Sequence, residues 1–273
     1  MSETVERLWI SAPFGNYIQP EGALATLGTF TRRRRNGRIW RILKTVRYDP
    51  FSGAWVNKIG LRNPGIDWLV KRVRSSRIDA RKFLVSVHGF TADEWYDLLD
   101  MTAALDPKGI ELNLSCPNVG EVNWPADLFP RAAALSVPVV CKLPPVRFEK
   151  MFEDAFSAGI RSFHCCNTLP VPVGGMSGPP LKPVALQCIQ RLQELAGSQA
   201  EELRLIGGGG IRRAVDIDDY ADASVCAVAI GTKVMNPRYL VAQGPIHGLR
   251  ERAEDLLSER PEPLALPAPV ASE

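Results

Sequence analysis

Short apolar runs of strand length recur along this chain, and most are followed by a stretch with the apolar spacing of a helix. The first four runs are "LWISAPF" (8–14), "ATLGTF" (25–30), "FLVSVHG" (83–89) and "IELNLS" (110–115). Four more follow: "PVVCKL" (138–143), "RSFHCCN" (161–167), "LRLIGG" (203–208) and "SVCAVAIG" (224–231). Between them lie "GIDWLVKRVR" (65–74), "ADEWYDLLDMTAAL" (92–105), "FEKMFEDAFSAG" (148–159) and "KPVALQCIQRLQELAG" (182–197). Their apolar residues return every three or four positions, the helix period. Parallel strands need long crossovers, usually helical, and eight such units predict a (β/α)8 TIM barrel. A doubly wound open sheet is the second choice.

At 273 residues the chain is long enough for one such barrel with a sizeable core. We expect a single domain over residues 1–258. The segment 31–56, after the second strand, is too long and too polar for a simple βα loop, and is expected to form a hairpin or excursion above one rim. From 259 the sequence "ERPEPLALPAPVASE" is rich in proline and alanine, and is expected to be a disordered tail over 259–273. The net charge of +3 is too small to imply a nucleic-acid partner. No run approaches the ~20 apolar residues of a membrane span, and the N-terminal sequence lacks the apolar core of a secretory signal. Six cysteines are scattered without a C-x-x-C pair, which fits reduced thiols in a cytoplasmic protein rather than disulfides.

In a (β/α)8 barrel the reactive side chains sit where strands end, at the C-terminal rim. Polar residues of this chain gather at those places. The fourth strand ends in Asn113, Ser115, Cys116 and Asn118; the fifth runs into Lys142; the sixth ends in Asn167 and Thr168. One polar strand end usually just caps the next helix, whereas three in succession favour a shared pocket. Amides suit a heterocycle with alternating C=O and N–H groups. A lysine at the rim is placed to stabilise negative charge on a ring, and a thiol near a C–H bond can serve as a base. The run "RRRRNGR" (32–38) reads as a solvated cationic loop from which one arginine can reach an acidic substrate.

Glycines add a second function. "LIGGGGI" (205–211) ends the seventh strand and "AIGTKV" (229–234) the eighth. Such segments let backbone N–H groups close on an anion, and these two strands carry the usual phosphate site of the fold. "VGGMSGPPLKP" (173–183) supplies a flexible loop beside the same pocket.

Taken together, the segments "NKIGLRNPGID" (57–67), "ELNLSCPN" (111–118), "CKLPP" (141–145), "NTL" (167–169), "GGMSGPPLKPVAL" (174–186), "LIGGGGI" and "AIGT" resemble the dihydroorotate dehydrogenase family, in that family's order. The resemblance runs from about Ser11 to Asn236. It implies an FMN-containing barrel that oxidises dihydroorotate, or a similar dihydropyrimidine, to the unsaturated product. Asn57, Gly60, Leu61, Asn113, Asn118, Asn167 and Thr168 would line the pyrimidine site. Lys142 would lie against the N1–O2 edge of the flavin, near Asn113, with Gly178 beside the ring system. Gly209, Gly210, Gly231 and Thr232 would hold the FMN phosphate. Cys116 would be the catalytic base, as in the soluble class of the family; the membrane-bound class uses serine there. The resemblance also implies a role in pyrimidine biosynthesis, allows a homodimer, and leaves the second electron acceptor open among fumarate, oxygen, and NAD through an iron–sulfur partner. Many soluble members carry a lysine near the end of the second strand. Here the sequence reads Phe30-Thr31-Arg32, and arginine keeps the charge.

Two other readings of the same residues remain at this point. One is a barrel lyase or isomerase acting on a phosphorylated substrate, with Lys142 as a Schiff base. The other is a flavin-binding relative without catalysis.

Overall fold

The computed structural model of the protein describes residues 5–114, 124–242 and 244–264. The chain opens with β1 (Leu8–Ile10) and β2 (Ala23–Phe30), then leaves the barrel for helix α1 (Arg38–Thr45) and the hairpin strands β3 (Arg47–Tyr48) and β4 (Trp55–Asn57). It returns through α2 (Ile66–Arg74) to β5 (Phe83–Val87), α3 (Ala92–Ala103), β6 (Gly109–Asn113), α4 (Leu128–Ala133) and β7 (Val139–Leu143). Next come α5 (Glu149–Ser157) and β8 (Ser162–Cys165), followed by a second departure in β9 (Leu169–Val171) and β10 (Gly174–Ser177). Helix α6 (Leu181–Ala196), β11 (Arg204–Gly208), α7 (Asp218–Asp222), β12 (Ala227–Ile230) and α8 (Gly244–Leu257) complete the chain.

Eight strands close into a parallel barrel in the order β1-β12-β11-β8-β7-β6-β5-β2, so the expected (β/α)8 architecture is the one formed. Each apolar run named above overlaps one barrel strand, because a strand covered by helices outside and by side chains inside is buried on both faces. Alternate residues divide between two cores. Trp9, Leu24, Leu84, Val140, Ile206, Ala227 and Ala229 form the cluster that closes the interior floor. Leu8, Val85, Ile110, Leu112, Cys141 and Phe163 face out, under Leu69, Trp95, Leu98, Phe129, Phe152 and Ile189 of the surrounding helices. Helix α3 shows how local chemistry sets an element. The Thr91 side chain accepts a hydrogen bond from the Glu94 N–H at its start, and Trp95, Leu98, Leu99 and Thr102 supply the buried stripe.

The two departures meet. β3, β4, β10 and β9 form a four-stranded antiparallel sheet, with Asn57 opposite Gly175 and Trp55 opposite Ser177. The expected excursion after β2 is thus a helix and a hairpin. The segment expected as a flexible loop over 173–183 is instead strand β10 and the first turn of α6. Its glycines and prolines read as loop, but backbone pairing with β4 and β9 supplies the order.

Residues 259–264, expected in the disordered tail, pack against the barrel floor. Arg7, 4% exposed, donates to the carbonyls of Ser258, Arg260 and Pro261, Ser162 donates to that of Pro263, and Leu264 joins the floor cluster. Residues 265–273 lie outside the described residues. Among the described residues no helix is long and apolar enough to cross a membrane. Cys141, Cys165, Cys166, Cys188 and Cys226 are buried free thiols.

Candidate active site

Three neighbouring strands build one wall of the site. Asn113 stands opposite Lys142 across the β6–β7 pair, and Lys142 stands opposite His164 across β7–β8. Glu111 lies two positions before Asn113, so its side chain points the same way, into the barrel. Just beyond β8, the Asn167 side-chain amide donates to Asn113 Oδ1 at 3.1 Å. Asn113 in turn donates to Thr29 Oγ1 at 2.9 Å, and the Thr29 hydroxyl pairs with Ser86 Oγ at 2.9 Å. An ordered chain of amides and hydroxyls therefore crosses from β8 to β2. His88 braces it from behind: its Nδ1 lies 2.7 Å from the Asn113 carbonyl, which can only accept, so the proton is on Nδ1.

The charged part of this wall is deeply buried. Lys142 is 5% exposed and Glu111 is fully buried. Lys142 Nζ lies 3.9 Å from Glu111 Oε2, and His164 Nδ1 lies 2.8 Å from the same oxygen. Burial pushes the Glu111 carboxyl up, but Lys142 and then His164 outweigh it and hold the group at about 2. Burial first, and the Lys142 charge second, push the His164 imidazole down, which keeps it neutral. Glu111 therefore serves as the buried counter-charge of Lys142.

The opposite side is made from loops. Asn63 organises the stretch after β4: it donates to the Leu61 carbonyl at 2.8 Å and accepts from the Gly65 and Thr31 N–H groups. Leu61 is thereby held at φ 51°, a left-handed conformation that a γ-branched residue adopts rarely and at a cost. At the end of β11, Gly209 and Gly210 have φ 134° and 72°. A Cβ on Gly210 would stand 2.8 Å from Lys182 Cβ, and one on Gly209 would stand 3.0 Å from Leu181 Cγ. Only glycine keeps that turn tight against the start of α6.

These walls enclose a cavity of about 1000 Å³ at the C-terminal ends of the strands. Asn57, Gly60, Leu61, Asn113, Lys142, Asn167, Thr168, Gly178, Gly209, Gly210, Gly231 and Thr232 all line it. Cys116 and Asn118 lie outside the described residues. The arginine run divides: Arg38 lines the cavity and donates to the Tyr17 hydroxyl, whereas Arg32 turns away. Its guanidinium bonds Asp97 at 2.8 Å and Asp67 at 3.1 Å on α3 and α2, so the cation expected at the end of β2 is not in the site. Gly28, Thr29 and Phe30 occupy that wall instead. Sequence reasoning also passed over Glu111 and Asn63. The signal for Glu111 was present, a carboxylate inside the apolar run "IELNL".

The comparisons with known proteins meet this geometry. The family model described as dihydroorotate dehydrogenase matches residues 16–252. The chain belongs to the dihydroorotate dehydrogenase family. It is 31% identical over 248 residues to the protein named dihydroorotate dehydrogenase B (NAD(+)), catalytic subunit, of Geotalea daltonii, covering 80% of this chain and 78% of that one. The protein of the same name from Desulforudis audaxviator is 31% identical over 266 residues, covering 82% of this chain and 80% of the relative. The fold is also that of the ligand-free DHODH of Eimeria tenella, with a TM-score of 0.68 at 16% identity over 86% of this chain and 78% of that structure. Membership in the dihydroorotate dehydrogenase family makes the chain an oxidoreductase acting on a CH–CH donor, and removes the Schiff-base lyase as a reading of Lys142.

Proposed function

We propose that the protein oxidises dihydroorotate with bound FMN, using Cys116 as base. The observation that carries this reading is a shared rim cavity into which a buried lysine, two bonded amides and two glycine turns all open. The residues present fit FMN. The Gly209–Gly210 turn leaves backbone where any Cβ would collide, and with Gly231 and Thr232 it would take the phosphate. Lys142, kept in place by Glu111, would face the N1–O2 edge, with Gly178 beside the rings. When bound, FMN supplies the hydride acceptor.

The chain's own residues do the rest. Asn113 and Asn167 are locked to each other, so each presents a fixed donor or acceptor to a planar ring. Asn57, Gly60, Leu61, Asn118 and Thr168 complete the pyrimidine site. Cys116 removes the proton from one ring carbon and keeps it on sulfur, while the adjacent carbon gives up hydride and a C=C bond forms. The names of the relatives, catalytic subunits of an NAD(+) enzyme, support a second subunit as electron acceptor for this chain too. A cytoplasmic location and a homodimeric core belong to the same reading.

The test is spectral. Purified protein should show flavin absorbance that denaturation releases, and anaerobic dihydroorotate should bleach it. Cys116→Ala should slow the bleaching by roughly 10²–10⁴-fold while leaving the oxidised spectrum unchanged. Colourless protein that takes up no FMN, or a yellow protein that dihydroorotate does not bleach, rejects the proposal.

A further inference from the structure

The wall that carries Lys142 also carries a histidine that the proposed chemistry does not use. His164 is 2% exposed and lines the cavity. Its Nδ1 shares Glu111 Oε2 with the Lys142 ammonium, at 2.8 Å against 3.9 Å. A carboxylate only accepts, so Nδ1 carries the proton of the neutral ring. The other nitrogen packs against β11, where a Cβ on Gly208 would come within 3.0 Å of Nε2. A side chain at 208 would displace the imidazole, so the backbone is shaped to admit it. The result is a buried cluster of one cation and one carboxylate with two neutral donors, the His164 imidazole and, more weakly, the Ser86 hydroxyl.

We propose that His164 is a positioning residue that sets how much of its positive charge Lys142 directs into the cavity. The inference rests on the FMN reading above. Each hydrogen bond given to Glu111 stabilises its negative charge and loosens its hold on Lys142. Without the imidazole, the carboxylate would have the ammonium as its main partner, and the two would close from 3.9 Å to a tight ion pair. Lys142 would then offer less to the negative charge of reduced flavin, and the reduced form would be less favoured. The role belongs to the Nδ1 donor specifically. Asparagine at this position places an amide nitrogen near the site of Nδ1, glutamine near that of Nε2, and leucine offers neither.

The experiment loads wild type, His164→Leu, His164→Asn and His164→Gln with FMN and measures each midpoint potential against a reference dye. In His164→Leu the balance should move about tenfold toward oxidised flavin, about 30 mV for a two-electron couple. His164→Gln should move as far, and His164→Asn should stay within about threefold of wild type. Should the leucine variant not fold, the contrast between asparagine and glutamine carries the same test. Equal potentials in asparagine and glutamine variants, or a leucine variant that matches wild type, overturn the inference alone, because a merely space-filling histidine would give that result. A wild type that takes up no FMN overturns the reading beneath it as well.

Discussion

Glu111 is the residue on which the site's electrostatics turn, and its acid response is predictable. Burial raises the carboxyl, Lys142 and His164 bring it down to about 2, and the ordinary value is 4.5. A folded value below the unfolded one means that the stabilisation is complete above about pH 4.5 and is lost as pH falls toward 2. The depression corresponds to on the order of 3 kcal/mol at neutral pH. Glu111→Gln should therefore be less stable than wild type at pH 7 by about 3–5 kcal/mol, since it strands a buried ammonium. The gap should narrow as pH drops from about 4.5, because wild type loses what the variant never had. Urea unfolding at pH 7, 4 and 3 measures this, and a gap that stays constant would show that the carboxyl is not held ionised.

At the scale of elements, α1 is the exception in a well-buried fold. It has no buried residue, and Ile39, Trp40 and Leu43 are 77%, 68% and 70% exposed. Replacing these three by serine should each change the unfolding free energy by no more than about 0.5 kcal/mol. Trp95→Ala, on the buried face of α3, should cost about 3–5 kcal/mol in the same denaturant titration. The contrast marks what was legible in the sequence. Barrel strands announce themselves because burial on both faces demands apolar residues, and "FLVSV" or "VVCKL" has no other plausible home. β9 and β10 were not legible: "LPV" and "GGMS" owe their order to pairing with a hairpin more than a hundred residues earlier in the chain. In the site, residues at strand ends were found because chemistry follows strand ends in this fold. Thr29 was missed because it reads as an ordinary strand residue until its bonding partners, Asn113 and Ser86 on other strands, are known. Arg32 was misplaced for a related reason: charge alone does not say which way a side chain turns, and Asp67 and Asp97 decided it.

For the molecule as a whole, the barrel has a working end and a closing end, and one arginine ties the closing end. Arg7 donates to the Cys226 carbonyl at 2.8 Å, Pro261 at 2.8 Å, Arg260 at 2.6 Å and Ser258 at 3.1 Å, joining the start of β1 to the segment after α8. Proline-rich sequence suits this clasp, since prolines bring carbonyls without N–H groups that would need partners of their own. The planar guanidinium can serve several acceptors at once in a way that an ammonium cannot. Arg7→Met should keep the packing of the stem but strand these carbonyls, lowering stability by about 3 kcal/mol and the melting temperature by roughly 6–12 °C. Arg7→Lys should recover only part of that loss. Since the clasp lies at the N-terminal ends of the strands and the cavity at their C-terminal ends, FMN affinity below the melting range should change by less than about twofold. Thermal unfolding followed beside FMN titration separates the two. A parallel fall in affinity and stability would mean that the floor and the mouth of the barrel are one cooperative unit, and that the division of labour between the two ends does not hold for this protein.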